Sequence, residues 1–219
     1  MRRSLAAIAL LIATAVVAPL HAGSASGVVR MVTRAGGAAA LAVVYAEPID
    51  SPAPKAPRRI TLTQKNKTFQ PRVLAVPLGS TVEFPNNDGL YHNVFSLSAP
   101  QPFDLGLYRA GESRARTFTA PGFYRVFCNI HPQMSAVLVV APTAFTTVAG
   151  PDGRYLLDLP PGRYRVTAFS ERAAPVTVEV TSTQGASNVP DLTLDESLWT
   201  AAQHKNKFGK DYPAAAYKR

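Results

Sequence analysis

Apolar stretches of strand length, cut at short intervals by glycine and proline, recur from about residue 28 to residue 180. The 219 residues include 14 glycines and 19 prolines, a density that interrupts helices and sets turns between strands. Alternation predicts strands at Val28–Thr33, Ala40–Tyr45, Arg59–Gln64, Arg72–Val76, Thr81–Phe84, Arg116–Thr119, Gly122–Cys128 and Ala136–Val140. It predicts further strands at Tyr155–Leu159, Tyr164–Phe169 and Val176–Val180. Only Asp195–Gln203 reads as helical, with Asp195 as its N-cap. The expected class is all-β, with two packed sandwiches.

Two breaks divide the chain. Ser51-Pro52-Ala53-Pro54-Lys55-Ala56-Pro57 is too rich in proline to pair in a sheet, and Ala141-Pro142 closes the apolar strand before it. The intervening segment, residues 58–141, has the size of one β-domain. Val28–Thr33 and Ala40–Tyr45 read as a strand pair joined through Gly36-Gly37, which needs another sheet to be stable. Residues 142–195 continue the turn-and-strand pattern, with Asp152-Gly153 and Pro161-Gly162 setting turns. Residues 196–219 form a basic tail in which Lys205, Lys207 and Lys210 alternate with Phe208 and Tyr212. It reads as a solvated or docked segment, with His204 on its surface.

Residues 1–25 read as a secretory signal peptide. Arg2 and Arg3 precede the apolar run Leu5–Val17, and small residues follow at Ala22, Gly23, Ser24 and Ala25. The run is short for a membrane span, although an uncleaved anchor is the other reading. Cleavage is expected after Ala22 or Ala25. The mature chain is then exported to the periplasm and has no membrane span. The formal charge of +9 favours acidic partners. A basic, aromatic tail also suits nucleic acid, but export argues against that partner.

Cys128 is the single cysteine, so it cannot close a disulfide within the chain. Its neighbours suggest a metal ligand rather than a buried structural thiol. Cys128, His131 and Met134 lie on one seven-residue loop, and His92 lies 36 residues upstream. One thiolate, two imidazoles and a thioether make the donor set of a mononuclear blue-copper centre. Zinc prefers more thiolates or a carboxylate and has little use for a thioether. Tyr124, Val126 and Cys128 share one face of their strand, so Cys128 is expected to point inward. Pro132 stiffens the loop.

Phe84-Pro85-Asn86-Asn87-Asp88-Gly89-Leu90-Tyr91-His92-Asn93-Val94 resembles the first-ligand region of plastocyanin-type cupredoxins. Gly122-Phe123-Tyr124-Arg125-Val126-Phe127-Cys128-Asn129-Ile130-His131 resembles the second, and the Cys-x₂-His-x₂-Met spacing is most similar to amicyanin. The resemblance covers residues 58–141 and implies a Greek-key β-sandwich. It implies one copper ion, cycling between Cu(I) and Cu(II), on His92, Cys128, His131 and Met134. It also implies that Asn93 ties the ligand loops together and supports the sulfur, and that electrons pass by His131, with Ile130 and Pro132 at the rim. Residues 27–50 and 142–195 resemble the two parts of a carboxypeptidase regulatory-like, transthyretin-type sandwich. The whole resembles exported bacterial proteins of the methylamine-utilisation or plastocyanin-like type.

These readings imply a monomeric periplasmic electron carrier, not an enzyme, that exchanges single electrons with a c-type cytochrome or a periplasmic dehydrogenase. An exported copper-handling protein is the alternative. Three methionines in all are few for that role. A copper enzyme would need a second, histidine-rich site, and the chain has four histidines, His21 among them.

Overall fold

A computed structural model describes residues 23–34, 39–201 and 203–213. Every regular element among them is a strand. In chain order these are β1 (Ser24–Val32), β2 (Val43–Pro48), β3 (Arg59–Thr61), β4 (Thr63–Lys65), β5 (Thr68–Gln70) and β6 (Val73–Pro77). Next come β7 (Thr81–Pro85), β8 (His92–Ser96), β9 (Phe103–Tyr108), β10 (Ser113–Thr117), β11 (Gly122–Phe127) and β12 (Ser135–Ala141). The last are β13 (Thr146–Val148), β14 (Arg154–Asp158), β15 (Gly162–Ser170), β16 (Ala173–Ser182), β17 (Ala186–Asn188) and β18 (Leu192–Asp195).

A five-stranded sheet runs β6-β12-β11-β8-β9, and a three-stranded sheet runs β10-β7-β3. Their inner faces share one apolar core. Leu74, Tyr124, Val126 and Leu138 come from the larger sheet, Val82 and Phe84 from the smaller, and Leu62, Phe69 and Phe118 from segments between strands or the β4–β5 hairpin. The alternation on β11 works as expected, because Tyr124, Val126 and Cys128 all join this core. In β12 nearly every residue is buried. Ala136, Leu138 and Val140 face the first core, while Val137 and Val139 pack with Val43 and Val73. A strand covered on both faces carries a continuous apolar run instead of strict alternation.

A second core is built from the flanks: Val44 and Ala46 of β2, Leu157 of β14, Val166 of β15 and Leu192 and Leu194 of β18. One sheet runs β13-β2-β15-β16 and another β14-β1-β17, with β18 also pairing to β1. The expected pairing of the first two strands is therefore corrected. β1 is flanked by β14 on one side and by β17 and β18 on the other, while β2 lies between β13 and β15. Strands from after residue 142 fill both edges of each, so neither has an edge left for the other. Gly36 and Gly37 lie outside the described residues, as do residues 1–22 of the expected signal peptide.

The helix expected at Asp195–Gln203 is also corrected. Leu192 and Leu194 alternate into the second core, which requires an extended backbone through Asp195. The Asp195 carboxylate then accepts from the Ser197 amide at 2.8 Å, as in an Asx turn rather than a helix cap. Leu198 is almost fully exposed, so no apolar helical face forms.

Candidate metal centre

The proposed ligands meet because β8 lies beside β11. Phe95 pairs with Phe127 across the two strands, which sets the start of β8 against the end of β11. His92 opens β8, and the loop 128–134 joins β11 to β12. That loop is closed by its own backbone: the Met134 amide donates to the His131 carbonyl at 2.9 Å, and the Cys128 amide to the Met134 carbonyl at 3.3 Å.

His92 Nδ1 and His131 Nδ1 are 3.1 Å apart, and Cys128 Sγ lies 3.8 Å from each. The centre of that triangle is about 2.1 Å from each corner, within the ~2.0–2.3 Å range of nitrogen and sulfur bonds to a divalent first-row metal. Among the described residues, these three form the cluster of His, Cys and acidic side chains able to hold a metal ion. His92 and Cys128 are fully buried, and Met134 is buried in the same core.

Burial pushes the Cys128 thiol up from its ordinary range, against the opposing effect of backbone contacts from Asn93, Ile130 and His131. Burial, and then the neighbouring His92 ring, hold His131 below its ordinary range. Both shifts keep positive charge off the ring and, without a metal, negative charge off the sulfur. A metal cation supplies the charge that turns the thiol into a thiolate ligand.

The surroundings of the triangle are polar and specific. Asp88 Oδ2 lies 2.7 Å from His92 Nε2. A carboxylate there accepts from Nε2–H and leaves the Nδ1 lone pair for a metal. Asp88 itself accepts from the Asn66 amide at 2.6 Å and the Lys67 amide at 2.8 Å. Asn66 and Lys67 are the central residues of the β4–β5 turn, both with positive φ (54° and 53°), as such two-residue hairpins require. Burial alone would raise the Asp88 carboxyl, but the Lys67 amide, the His92 ring and the Asn66 amide outweigh it, and the net shift is downward. Asp88 lies four residues before His92, but in a loop that spacing does not by itself mark the contact.

Asn93 holds the sulfur through its backbone, with its amide 3.4 Å from Cys128 Sγ. Its side chain does not join the two ligand loops. It donates to Asp104 Oδ1 at 2.6 Å and to the Gly106 carbonyl at 2.9 Å, both on β9. Its Oδ1 is buried without a hydrogen-bond partner.

The rim also differs from the expectation in one position. Ile130 is exposed, as a rim residue should be, but Pro132 is buried. The tail lies against Pro132, with His204 Nε2 2.6 Å from its carbonyl oxygen. His204 is accordingly not a free surface residue: its ring stacks on Phe127 at 3.7 Å. The basic spacing of the tail gave no hint of this contact.

Residues 59–141 match a family described as copper binding proteins, plastocyanin/azurin family. This segment is a cupredoxin domain. The chain is 32% identical over 75 residues to amicyanin-alpha of Methylorubrum extorquens, covering 33% of this chain and 63% of that protein. It thus spans somewhat under two thirds of the curated relative. Among solved structures, it is similar to a copper-containing nitrite reductase from Thermus scotoductus (31% identity, TM-score 0.37, 43% of this chain and 25% of that one). It is also similar to a purple cupredoxin from Nitrosopumilus maritimus (22% identity, TM-score 0.35, 37% of this chain and 99% of that one). The family match supports copper as the cofactor, one ion per chain, and the cluster of His92, Cys128 and His131 could hold a metal ion. Among the described residues, no helix is long and apolar enough to cross a membrane.

Proposed function

We propose that His92, Cys128 and His131 would hold one copper ion, with Met134 as the weaker fourth donor, and that the protein is a periplasmic single-electron carrier. The observation that carries this reading is the Nδ1–Nδ1–Sγ triangle of metal-binding size, with His92 and Cys128 buried and His131 half-buried. Bound copper supplies a one-electron couple between Cu(I) and Cu(II). The chain's part is to hold the donors still. Hydrogen bonds within the loop, the Asp88 carboxylate behind His92 and the Asn93 amide on the sulfur all restrain them. Fixed donors limit the rearrangement that accompanies each electron.

The reading of a carrier rather than an enzyme rests on the histidine count. With His92 and His131 in the copper site and His21 in the leader, His204 is left, and it is engaged with Phe127 and Pro132. Electrons would pass by His131 to an acidic partner, such as a c-type cytochrome or a periplasmic dehydrogenase, with the exposed Ile130 beside the exit. The flanking segments share one core, which supports a second sandwich, of the carboxypeptidase regulatory-like type, split by the cupredoxin domain. For the leader, the structure favours processing after Ala22. Ala25 is fully buried in β1, and the Gly23 carbonyl accepts from the Leu159 amide at 2.8 Å, so cutting after Ala25 would remove the start of that strand.

The test is the visible and electron paramagnetic resonance spectrum of the Cu(II)-loaded protein beside Cys128→Ser. An intense thiolate-to-copper band with narrow hyperfine splitting, both lost in the variant, is expected. A pale, ordinary Cu(II) spectrum would refute the carrier and favour copper handling.

A further inference from the structure

The loop that carries three of the proposed ligands is gripped from outside the cupredoxin domain. The family match ends at residue 141, yet the tail, 63 or more residues later in the chain, meets this loop at successive points. The His204 ring lies nearly parallel to Phe127, the residue before Cys128, at 3.7 Å and 13°. Its Nε2 is 2.6 Å from the carbonyl oxygen of Pro132, the residue after His131. The Lys207 amide donates to Asn129 Oδ1, between Cys128 and His131, at 3.0 Å. The Lys207 ammonium pairs with Asp104 Oδ2 at 2.7 Å, and the other oxygen of that carboxylate holds Asn93, whose amide contacts the sulfur. Tyr212 closes edge-on against His204.

We propose that residues 204–208 are a brace for the copper loop, and that His204 and Lys207 are its positioning residues. The inference rests on the copper reading above. The gripped residues, Phe127, Asn129 and Pro132, alternate with or adjoin Cys128 and His131 without being ligands. Contacts at those points restrain the donors while leaving every donor atom free for the metal. A loop tethered only by its own two hydrogen bonds would open more readily to release copper. Ring stacking, a charge-assisted pair and a part-buried carbonyl contact each resist that opening. The arrangement also gives the flanking strands a task. β18 in the second core ends at Asp195, which anchors the chain a short distance before the brace.

The test compares the full chain with a chain ending at Gln203 and with the His204→Ala/Lys207→Ala double variant. Copper loss to a Cu(I) chelator should be about 10-fold faster in both, the scale seen when partners behind metal ligands are removed. In the metal-free proteins, amide exchange at Cys128 and Met134 should quicken, since their bonds close the loop. If the intact protein is blue and all three lose copper at rates within twofold, the brace is wrong and the copper reading stands. If the intact protein takes up no copper, that reading falls, and amide exchange alone decides the brace: unchanged protection at Cys128 and Met134 overturns it. The double variant keeps the chain length, so misfolding of the shortened chain does not blur the result.

Discussion

The two cores of this protein are both made of short strands and turns, but they bury different chemistry. The core between the β11 and β7 sheets encloses Gln64, Asn86, His92, Asn93 and Cys128 as well as apolar side chains. His92, Asn93 and Cys128 converge where β8 meets the end of β11. The flanking core is alanine, valine, leucine and tyrosine, with Glu196 sealed at its edge by Ser170 and the Arg172 guanidinium. Buried polar groups cost stability unless they are partnered. The flanking unit buries polar groups too (Thr143, Thr167, Ser170, Ser182 and Glu196), but they are hydroxyls and one carboxylate, whereas the first core gathers the metal-binding donors His92 and Cys128. The same architecture can therefore serve as a reactive centre or as a support, according to what it buries.

Truncating each core should separate these roles with the largest effect. Leu138→Ala and Leu194→Ala each remove a fully buried leucine and should each cost about 2–5 kcal/mol. Leu138 shares its cluster with Cys128 and Met134, so its loss should also weaken the blue band. Leu194→Ala should leave the band of the native protein intact. Denaturation followed by blue absorbance and by circular dichroism reads both. Loss of the band in Leu194→Ala would show that the valine seam of Val43, Val73, Val137 and Val139 couples the two cores.

A smaller effect is expected behind His92. Asp88→Asn keeps an acceptor near Nε2 but removes the charge. Copper affinity should fall about 10- to 100-fold and the reduction potential should rise, because the anion favours Cu(II). Competition titration and voltammetry check this; an unchanged affinity would reduce Asp88 to a turn residue.

The smallest effect is in acid. The Asp88 carboxyl is held below its ordinary value of 3.8, so the unfolded chain takes up its proton first as pH falls. Its stabilising contribution is complete above that value and is lost as pH falls through the lower, folded one. Thermal melts of the metal-free protein should therefore decline more steeply below about pH 4 than those of Asp88→Asn. Parallel declines would mean that other carboxylates govern the acid limb.

The strands were legible because an inward-outward pattern of period two is written into the residues themselves. The β11 face of Tyr124, Val126 and Cys128 and the continuous run of β12 could both be read before any contact was known. β1 and β2 were legible as strands, but their partners were not, since those partners are more than 100 residues away and edge pairing leaves no local mark. The Asp195 segment misled for a related reason. Its polar N-cap pattern is local, whereas Leu192 and Leu194 obey a core supplied by distant strands.

For the candidate site, the sequence by itself determined the donor types and the spacing of the loop from Cys128 to Met134, because metal chemistry depends on which atoms are offered. Only the tertiary structure decided that His92 reaches the same point, that Asp88 stands behind it on the amides of a left-handed turn, and that the tail covers Pro132. Those contacts join residues with no periodic or motif relation to one another. They depend on which strands lie side by side, and that is set by how the whole chain buries its apolar faces.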